Sequence, residues 1–538
     1  MALAVTDEHR QLAEAVTGWA ERHSPPGTAR EAINGAGLVY REKLAPGLAS
    51  QGLLGLHLPE TAGGQGYGLP ELAVAVAELG RALVPGAFLP TVLASAVLAA
   101  NGTAQAAGTA DDGLSAQLGG LADGTLTGAV ALGTGMRATV DGTGAAAAVT
   151  IDGTCGPVLG APVADLVILP AAQDDHEIWV VAGAEDMKIT PVDGLDLTRP
   201  AGLVSAERLV LPAGRVLGGL RPGAVTSLAA VLLAAEASGI ADWAVSTAAA
   251  YAKIRHQFGR PIGQFQGVKH RCAWMLTAAE QAAATAWDAA RAVADGGPGD
   301  SPGTGFAAAV AALVALDAAV TCTHECIQVL GGIGYTWEHD AHLYYRRARA
   351  LRALLGGSGE WAQRVAGLAL AGASRPIGID LPPEAAPVRA QVRADLTAIA
   401  AAGPADRRER LAGGGWVVPH LPRPWGRDAG PLEQLVIAEE MRAAGLRAPG
   451  LAIGAWVVPA LVQYGTPEQQ ERFLPPTLRG ELVWCQLFSE PGAGSDLAGL
   501  STRAERAEGG WRLTGQKIWT SLAKQAAWAI CVARTDPG

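Results

Sequence analysis

Phe488 to Asp496 read FSEPGAGSD, and Gly510 to Ser521 read GWRLTGQKIWTS. The first is a Gly- and Pro-marked loop that follows a short strand opening at Trp484, and the second is read as a strand. Taken alone, the pair is a β-turn followed by a strand whose tryptophan joins a core. Their surroundings decide how much more they mean.

Outward from these motifs the chain repeats itself, which has to be recognised before any element is assigned. Gly52 to Pro59, opening GLLGLHLPETAGGQG, matches Gly415 to Pro422, opening GWVVPHLPRPWGRDAG, with His57 opposite His420. Farther on, PELAVAVAELGRA (Pro70 to Ala82) matches PLEQLVIAEEMRA (Pro431 to Ala443). Two blocks in one register argue for tandem, unequal copies. In copy one, helices are expected over 1–123. Short strands follow over 124–222 (ATVDG, AAVTIDG, DLVILPA, EIWVVAG, ERLVLP) and a helical bundle over 223–373. The bundle helices are expected at Val225 to Ile254, Gly263 to Asp295, Gly305 to Val329 and His342 to Leu354. The Pro density of 374–387 reads as a linker. Copy two then supplies helices over 388–483 and strands over 484–538, and is expected to be incomplete, without the rest of its β-region and the second helical region.

Composition narrows the class. At 538 residues the chain is too long for one core, and its many Ala and Gly with few aromatics favour close-packed helices. The net charge of −10 offers no basic footprint for nucleic acid or an anionic membrane. Met1 to Trp19 mixes charges with apolar residues and reads as neither signal nor transit peptide, and no membrane span is expected; a cytoplasmic location follows. Six scattered cysteines form no disulfide framework. Cys322, His324 and Cys326 invite a metal reading, but on a helix only the two cysteines share a face, so packing is preferred and no metal is expected.

The order helical region, β-region, helical region, with FSEPGAGSD and GWRLTGQKIWTS at their expected places in a β-region, resembles the acyl-CoA dehydrogenase family. The resemblance covers nearly the whole chain and implies an α+β fold, mainly α: a helical domain, a β-barrel-like domain and a helical bundle, then a partial second copy. It implies FAD, an acyl-CoA substrate and an electron-transfer flavoprotein as acceptor. By position, Gln486, Leu487 and Ser489 would line the flavin, and Ser495 would lie at ring and substrate. Trp519 would flank the isoalloxazine, with Ser521 hydrogen-bonding near N5. A flat π face and a donor at N5 suit a hydride-accepting ring. Copy one lacks this set: it reads ALGTGMRA (Ala131 to Ala138) where the loop is due, and aligning Gly153 with Gly515 places Pro157 opposite Trp519 and Leu159 opposite Ser521.

Copy one instead carries YAKIRHQFGRPIGQFQGVKH (Tyr251 to His270) and IQVLGGIGY (Ile327 to Tyr335). These resemble the family segments that reach a neighbouring subunit's FAD adenine and pyrophosphate, and they nominate Arg255, Gln257, Phe258, Gln266, Gln328 and Gly332. A guanidinium pairs with pyrophosphate in a bidentate way, and glycines admit a close backbone. A solvated helix charge is the plain alternative for Arg255.

The family chemistry needs a glutamate base. One family position, nine residues after an Arg resembling Arg346, is Leu355, and the other falls near Ala229. Neither is an acid, so the catalytic residue is unassigned. Glu236, two turns after Ala229 on the same helix, and Glu360, which starts a helix, are the remaining candidates; Glu338 and Asp340 in TWEHD are expected to cap a helix. The losses are complementary: copy two would present the ring, copy one would grip the tail, and the base would belong to a region beyond this sequence. The readings that remain are three. One is a dehydrogenase with one composite FAD site per fused pair, acting as a homodimer of the fused chain or with another subunit. The second is a non-catalytic partner of a heteromeric dehydrogenase, and the third a flavin monooxygenase or oxidase on the same fold.

Overall fold

The computed structural model describes residues 5–104, 112–141, 148–174, 176–299, 302–375 and 381–535. It divides into two compact units, Met1–Gly378 and Ile379–Gly538.

The first unit begins with helices α1 (Asp7–His23), α2 (Pro26–Ala32), α3 (Ala36–Val39), α4 (Ala45–Ser50), α5 (Leu69–Arg81), α6 (Phe88–Ala104) and α7 (Asp112–Asp123). Local chemistry fixes their starts. Thr6 accepts from the His9 N–H while the His9 ring receives the Thr6 N–H, a reciprocal cap at α1. At α5 the Glu71 carboxylate takes the Gly68 N–H at 2.8 Å, and Pro70 needs no N–H partner in the first turn.

Seven strands follow: β1 (Gly128–Val130), β2 (Met136–Asp141), β3 (Ala148–Leu159), β4 (Leu166–Gln173), β5 (His176–Gly183), β6 (Lys188–Val192) and β7 (Ala201–Pro212). They form one sheet in the order β1-β4-β2-β3-β7-β6, with β5 antiparallel to β4. β1 and β6 were not among the predicted strands. Val149, Ile151, Val167, Leu169, Val180 and Val204 fill this sheet's own core, the alternation expected of half-buried strands.

The bundle is α8 (Ala224–Ile254), α9 (Gln266–Gly296), α10 (Pro302–Leu330), α11 (Ala341–Leu355) and α12 (Ser358–Leu370), the first four within a few residues of the predicted bounds. α8 and α10 are long and apolar enough to cross a membrane by length and composition, which the sequence reading did not anticipate. Most of each apolar window is buried inside the protein, as an all-round apolar helix of a bundle must be. α8 crosses α5 closely. A Cβ on Gly239 would sit 1.9 Å from the Ala77 carbonyl oxygen, so only glycine permits that approach.

The second unit holds α13 (Ala385–Ala400), α14 (Pro404–Gly413), α15 (Pro431–Ala443), α16 (Gly454–Tyr464) and α17 (Pro467–Leu478). α13 starts inside the expected 374–387 linker, because Val392, Leu396 and Ile399 pack with Val436 and Ile437 of α15; residues 376–380 of that linker lie outside the described residues. Four strands follow α17: β10 (Trp484–Leu487), β11 (Arg503–Ala507), β12 (Gly510–Thr514) and β13 (Trp528–Cys531).

Candidate functional site

The second motif region forms around a short parallel pair, β10 (Trp484–Leu487) against β13 (Trp528–Cys531), and a hairpin of β11 (Arg503–Ala507) with β12 (Gly510–Thr514); β8 (His256–Gln257) and β9 (Arg260–Pro261) belong to the first unit. The predicted strand through Ser521 ends at Thr514: beyond it the backbone finds no ladder partner, and its tie to the loop is the Ile518 N–H to the Ser489 carbonyl at 2.9 Å.

Glu490 holds this loop. Its buried carboxylate accepts from the Ser501 N–H and hydroxyl (2.6 Å each), the Thr502 N–H (2.9 Å) and Lys517 Nζ (2.8 Å). Lys517, then Ser501 and Thr502, hold the Glu490 carboxyl far below the usual carboxylate range. Lys517 also donates to the Phe488 carbonyl at 3.0 Å, so one buried ion pair ties both motifs together. This pair was missed in the sequence, although both charges lie inside the quoted motifs.

On that frame Trp519 is 78% exposed and sits at φ +53°, a region L-residues seldom occupy. Its ring edge comes within 4.0 Å of where a Gly494 Cβ would be. Ser495 and Ser521 are exposed, Ser489 and Leu487 half-buried. Gln486 Oε1 is buried with no hydrogen-bond partner among the described residues. An uncovered indole beside hydroxyls and an unsatisfied amide oxygen suits a planar, polar-edged group such as a flavin ring.

In the first unit, α8 and α9 run antiparallel, as do α9 and α10. The end of α8, the start of α9 and the end of α10 therefore share one end of the bundle, packed on Ala252, Met275, Cys326 and Val329. Arg255, Gln257, Phe258, Gln266, Gln328 and Gly332 all lie exposed at that end. Arg255 closes α8, and Phe258 tips the β8–β9 hairpin at φ +54°, 93% exposed, edge-on to Phe265 at 6.0 Å. A Cβ on Gly332 would meet nothing within 4 Å. Among the described residues nothing therefore requires glycine there.

The acid candidates fare differently. Glu236 is 1% exposed and bound by Arg199 through both oxygens, one at 2.8 Å, with Arg347 Nη1 at 3.4 Å. A carboxylate so engaged cannot approach a substrate carbon, so Glu236 is not the base. Glu360 is exposed in the first turn of α12, while Leu355 ends α11 and gives its carbonyl to the Trp361 indole at 3.0 Å. Ala229 is fully buried. Asp340 stands at the start of α11 but makes no side-chain cap; Arg30 takes its carboxylate at 2.7 Å instead. Cys322 donates to the Met275 carbonyl at 3.3 Å, and burial pushes its thiol up to about 12.

Three family models match the chain. The "Acyl-CoA dehydrogenase, N-terminal domain" matches residues 6–109 and 384–481, the "middle domain" 485–538, and the "C-terminal domain" 226–367. The acyl-CoA dehydrogenase FadE34 of Mycobacterium tuberculosis is 45% identical over 547 residues, which cover all of this chain and 72% of that protein. Among solved structures, the ChsE4-ChsE5 complex from Mycobacterium tuberculosis has TM-score 0.60 and 25% identity, covering 69% of this chain and 99% of that one. A glutaryl-CoA dehydrogenase from Mycobacterium smegmatis in complex with FADH2 has TM-score 0.57 at 20% identity, covering 69% and 96%, a likeness of fold.

Proposed function

The chain belongs to the acyl-CoA dehydrogenase family, and from that premise we propose that it is an FAD-dependent dehydrogenase built from two tandem copies that share one composite flavin site. FAD is the cofactor of this family, and when bound it takes the β-hydrogen of an acyl-CoA thioester as hydride while a carboxylate takes the α-proton.

The observation that carries the reading is the uncovered Trp519 on a loop locked by Glu490 and Lys517, set against Pro157 and Leu159 at the aligned places of the first unit. Gln486, Leu487, Ser489, Trp519 and Ser521 orient the ring, and Ser495 meets ring and substrate. Arg255, with Gln257, Phe258, Gln266, Gln328 and Gly332, holds the pyrophosphate and adenine end, the guanidinium supplying bidentate charge. The N-terminal family model matching at 6–109 and again at 384–481 supports tandem copies. Leu355 and Ala229 are not acids, Glu236 is locked and Glu360 stands exposed in the first turn of α12, which supports a base supplied from outside residues 1–538. The acceptor is an electron-transfer flavoprotein, and the chain works as a homodimer.

The flavin content of the purified chain tests this. One FAD per chain is expected, lost in both Trp519→Ala and Arg255→Ala. Two FAD per chain, or Arg255→Ala with undiminished flavin, overturns the composite site, and full turnover of acyl-CoA by residues 1–538 overturns the placement of the base.

The missing acid also favours a second reading, that of a partner subunit of a heteromeric dehydrogenase. A second dehydrogenase-like chain that co-purifies and restores turnover would select it.

A further inference from the structure

A cavity of about 250 Å³ lies in the first unit where the end of α1 and the start of α2 meet α5, α8 and the start of α11. Sites for drug-sized ligands run from about 300 to 1,000 Å³, so an occupant here is limited to a few heavy atoms. Trp243 and Tyr344, their rings stacked at 3.4 Å, supply an aromatic wall, and Ala20, Ala29 and Leu83 add small apolar surface. Aromatic faces attract cations and repel anions.

The charges on the lining sharpen that preference. Three carboxylates, Glu21, Glu78 and Asp340, share it with one guanidinium, Arg81. Two of these groups are already matched: Arg81 donates to Asp242 at 2.6 Å, and Arg30 donates to Asp340 at 2.7 Å. Glu78 is not. Half-buried on α5, it accepts the Thr17 hydroxyl at 2.8 Å and forms no ion pair among the described residues. Burial pushes its carboxyl up, while the Thr17 hydroxyl and the more distant Arg81 pull the other way. Glu21, exposed on the same lining, adds a second negative charge without an ion pair among the described residues.

A second group is open as well. Ser24, the residue that ends α1, is 4% exposed and lines the same cavity, yet its Oγ has no hydrogen-bond partner among the described residues. Leaving a buried hydroxyl unpaired is unfavourable, and so is holding a half-buried carboxylate without a counter-charge. An ammonium head has three N–H donors to give to such oxygens. A divalent metal needs about six oxygen ligands, and no group of three His, Cys, Asp or Glu side chains able to hold one stands among the described residues.

We infer that this cavity binds a small primary ammonium compound, its charged head on Glu78 and Ser24 and its short carbon chain against Trp243 and Tyr344. The site shares no residue with those assigned to the flavin.

Titration calorimetry of the full chain with n-butylammonium chloride tests this, with potassium chloride at equal ionic strength as the baseline and 1-butanol as a neutral probe of similar shape. Flavin content is measured alongside, so that loss of this site and loss of flavin are told apart. Glu78→Gln removes the charge and keeps an oxygen for Thr17, and Thr17→Lys brings an internal ammonium to Glu78. Saturable binding of butylammonium is expected, with 1-butanol bound at least tenfold more weakly and each substitution weakening butylammonium at least tenfold. No saturable binding by the unaltered chain, 1-butanol bound as tightly as the amine, or either substituted chain binding the amine undiminished overturns the proposal. The comparison with 1-butanol needs only the unaltered chain, so it decides the matter even where a substitution disturbs folding.

Discussion

Replacing Glu236 by Gln separates a structural carboxylate from a catalytic one. The side chain keeps its shape and loses its charge, leaving Arg199 and Arg347 buried with Asp196 as their one carboxylate. At an effective dielectric of about 20, one charge pair near 3 Å is worth about 5–6 kcal/mol. The amide oxygen still accepts from one arginine, returning about 1–3 kcal/mol, while the amide NH2 faces the other. The net expectation is a loss of about 3–5 kcal/mol, the range found when one partner of a buried ion pair is removed. Urea denaturation followed by circular dichroism measures it, and hydrogen exchange of peptides from α8 assigns the transition to the first unit. A loss below about 1 kcal/mol would refute the reasoning. A variant as stable as the parent but unable to abstract the α-proton would return Glu236 to the role of base.

Burial lowers the His57 imidazole to about 4, so its neutral form is favoured in the folded state. The unfolded chain then binds the extra proton between the ordinary value near 6.5 and about 4. The stability from His57 is complete above pH ~6.5 and falls by about 1.4 kcal/mol per pH unit through that window; thermal melts of His57→Gln should show a flatter acid limb. Gly239→Ala forces a methyl against the Ala77 carbonyl and should cost at least about 1–3 kcal/mol in denaturant melts; an unchanged midpoint would mean that α5 and α8 can separate freely. Lys517→Met strands the Glu490 carboxylate, so proteolysis within 488–502 should accelerate severalfold and flavin content should fall. Protection equal to the parent would show that Ser501 and Thr502 hold the loop without the lysine.

The long helices were legible because α8 and α10 are apolar on every side and end at Gly- and Pro-marked turns, so composition and breakers agree. β6 was not, since KITPV is short, contains a proline and pairs with β7 alone. Gly515 to Ser521 carries Ile518, Trp519 and Thr520, residue types favoured in strands, yet has no ladder among the described residues, because such a preference says nothing of a partner. The charged sites separate the same way. The Glu490–Lys517 pair lay within two quoted motifs and could have been found from them. Asp196, Arg199, Glu236 and Arg347 come from distant parts of the chain, and only the packing of α8 and α11 with the loop after β6 brings them together. Asp340 reads locally as a cap, but Arg30 is a stronger partner than a backbone N–H.

The parallel pair of β10 and β13 is four residues long, and each strand has one neighbour among the described residues. Their outer N–H and C=O groups find no strand partner among the described residues, and the β11–β12 hairpin shows Trp511 and Leu513 half uncovered. Such edges template further strands from whatever chain arrives first. At high concentration the second unit is therefore where this polypeptide should become adhesive, clouding solutions and seeding filaments before any of its helices melt.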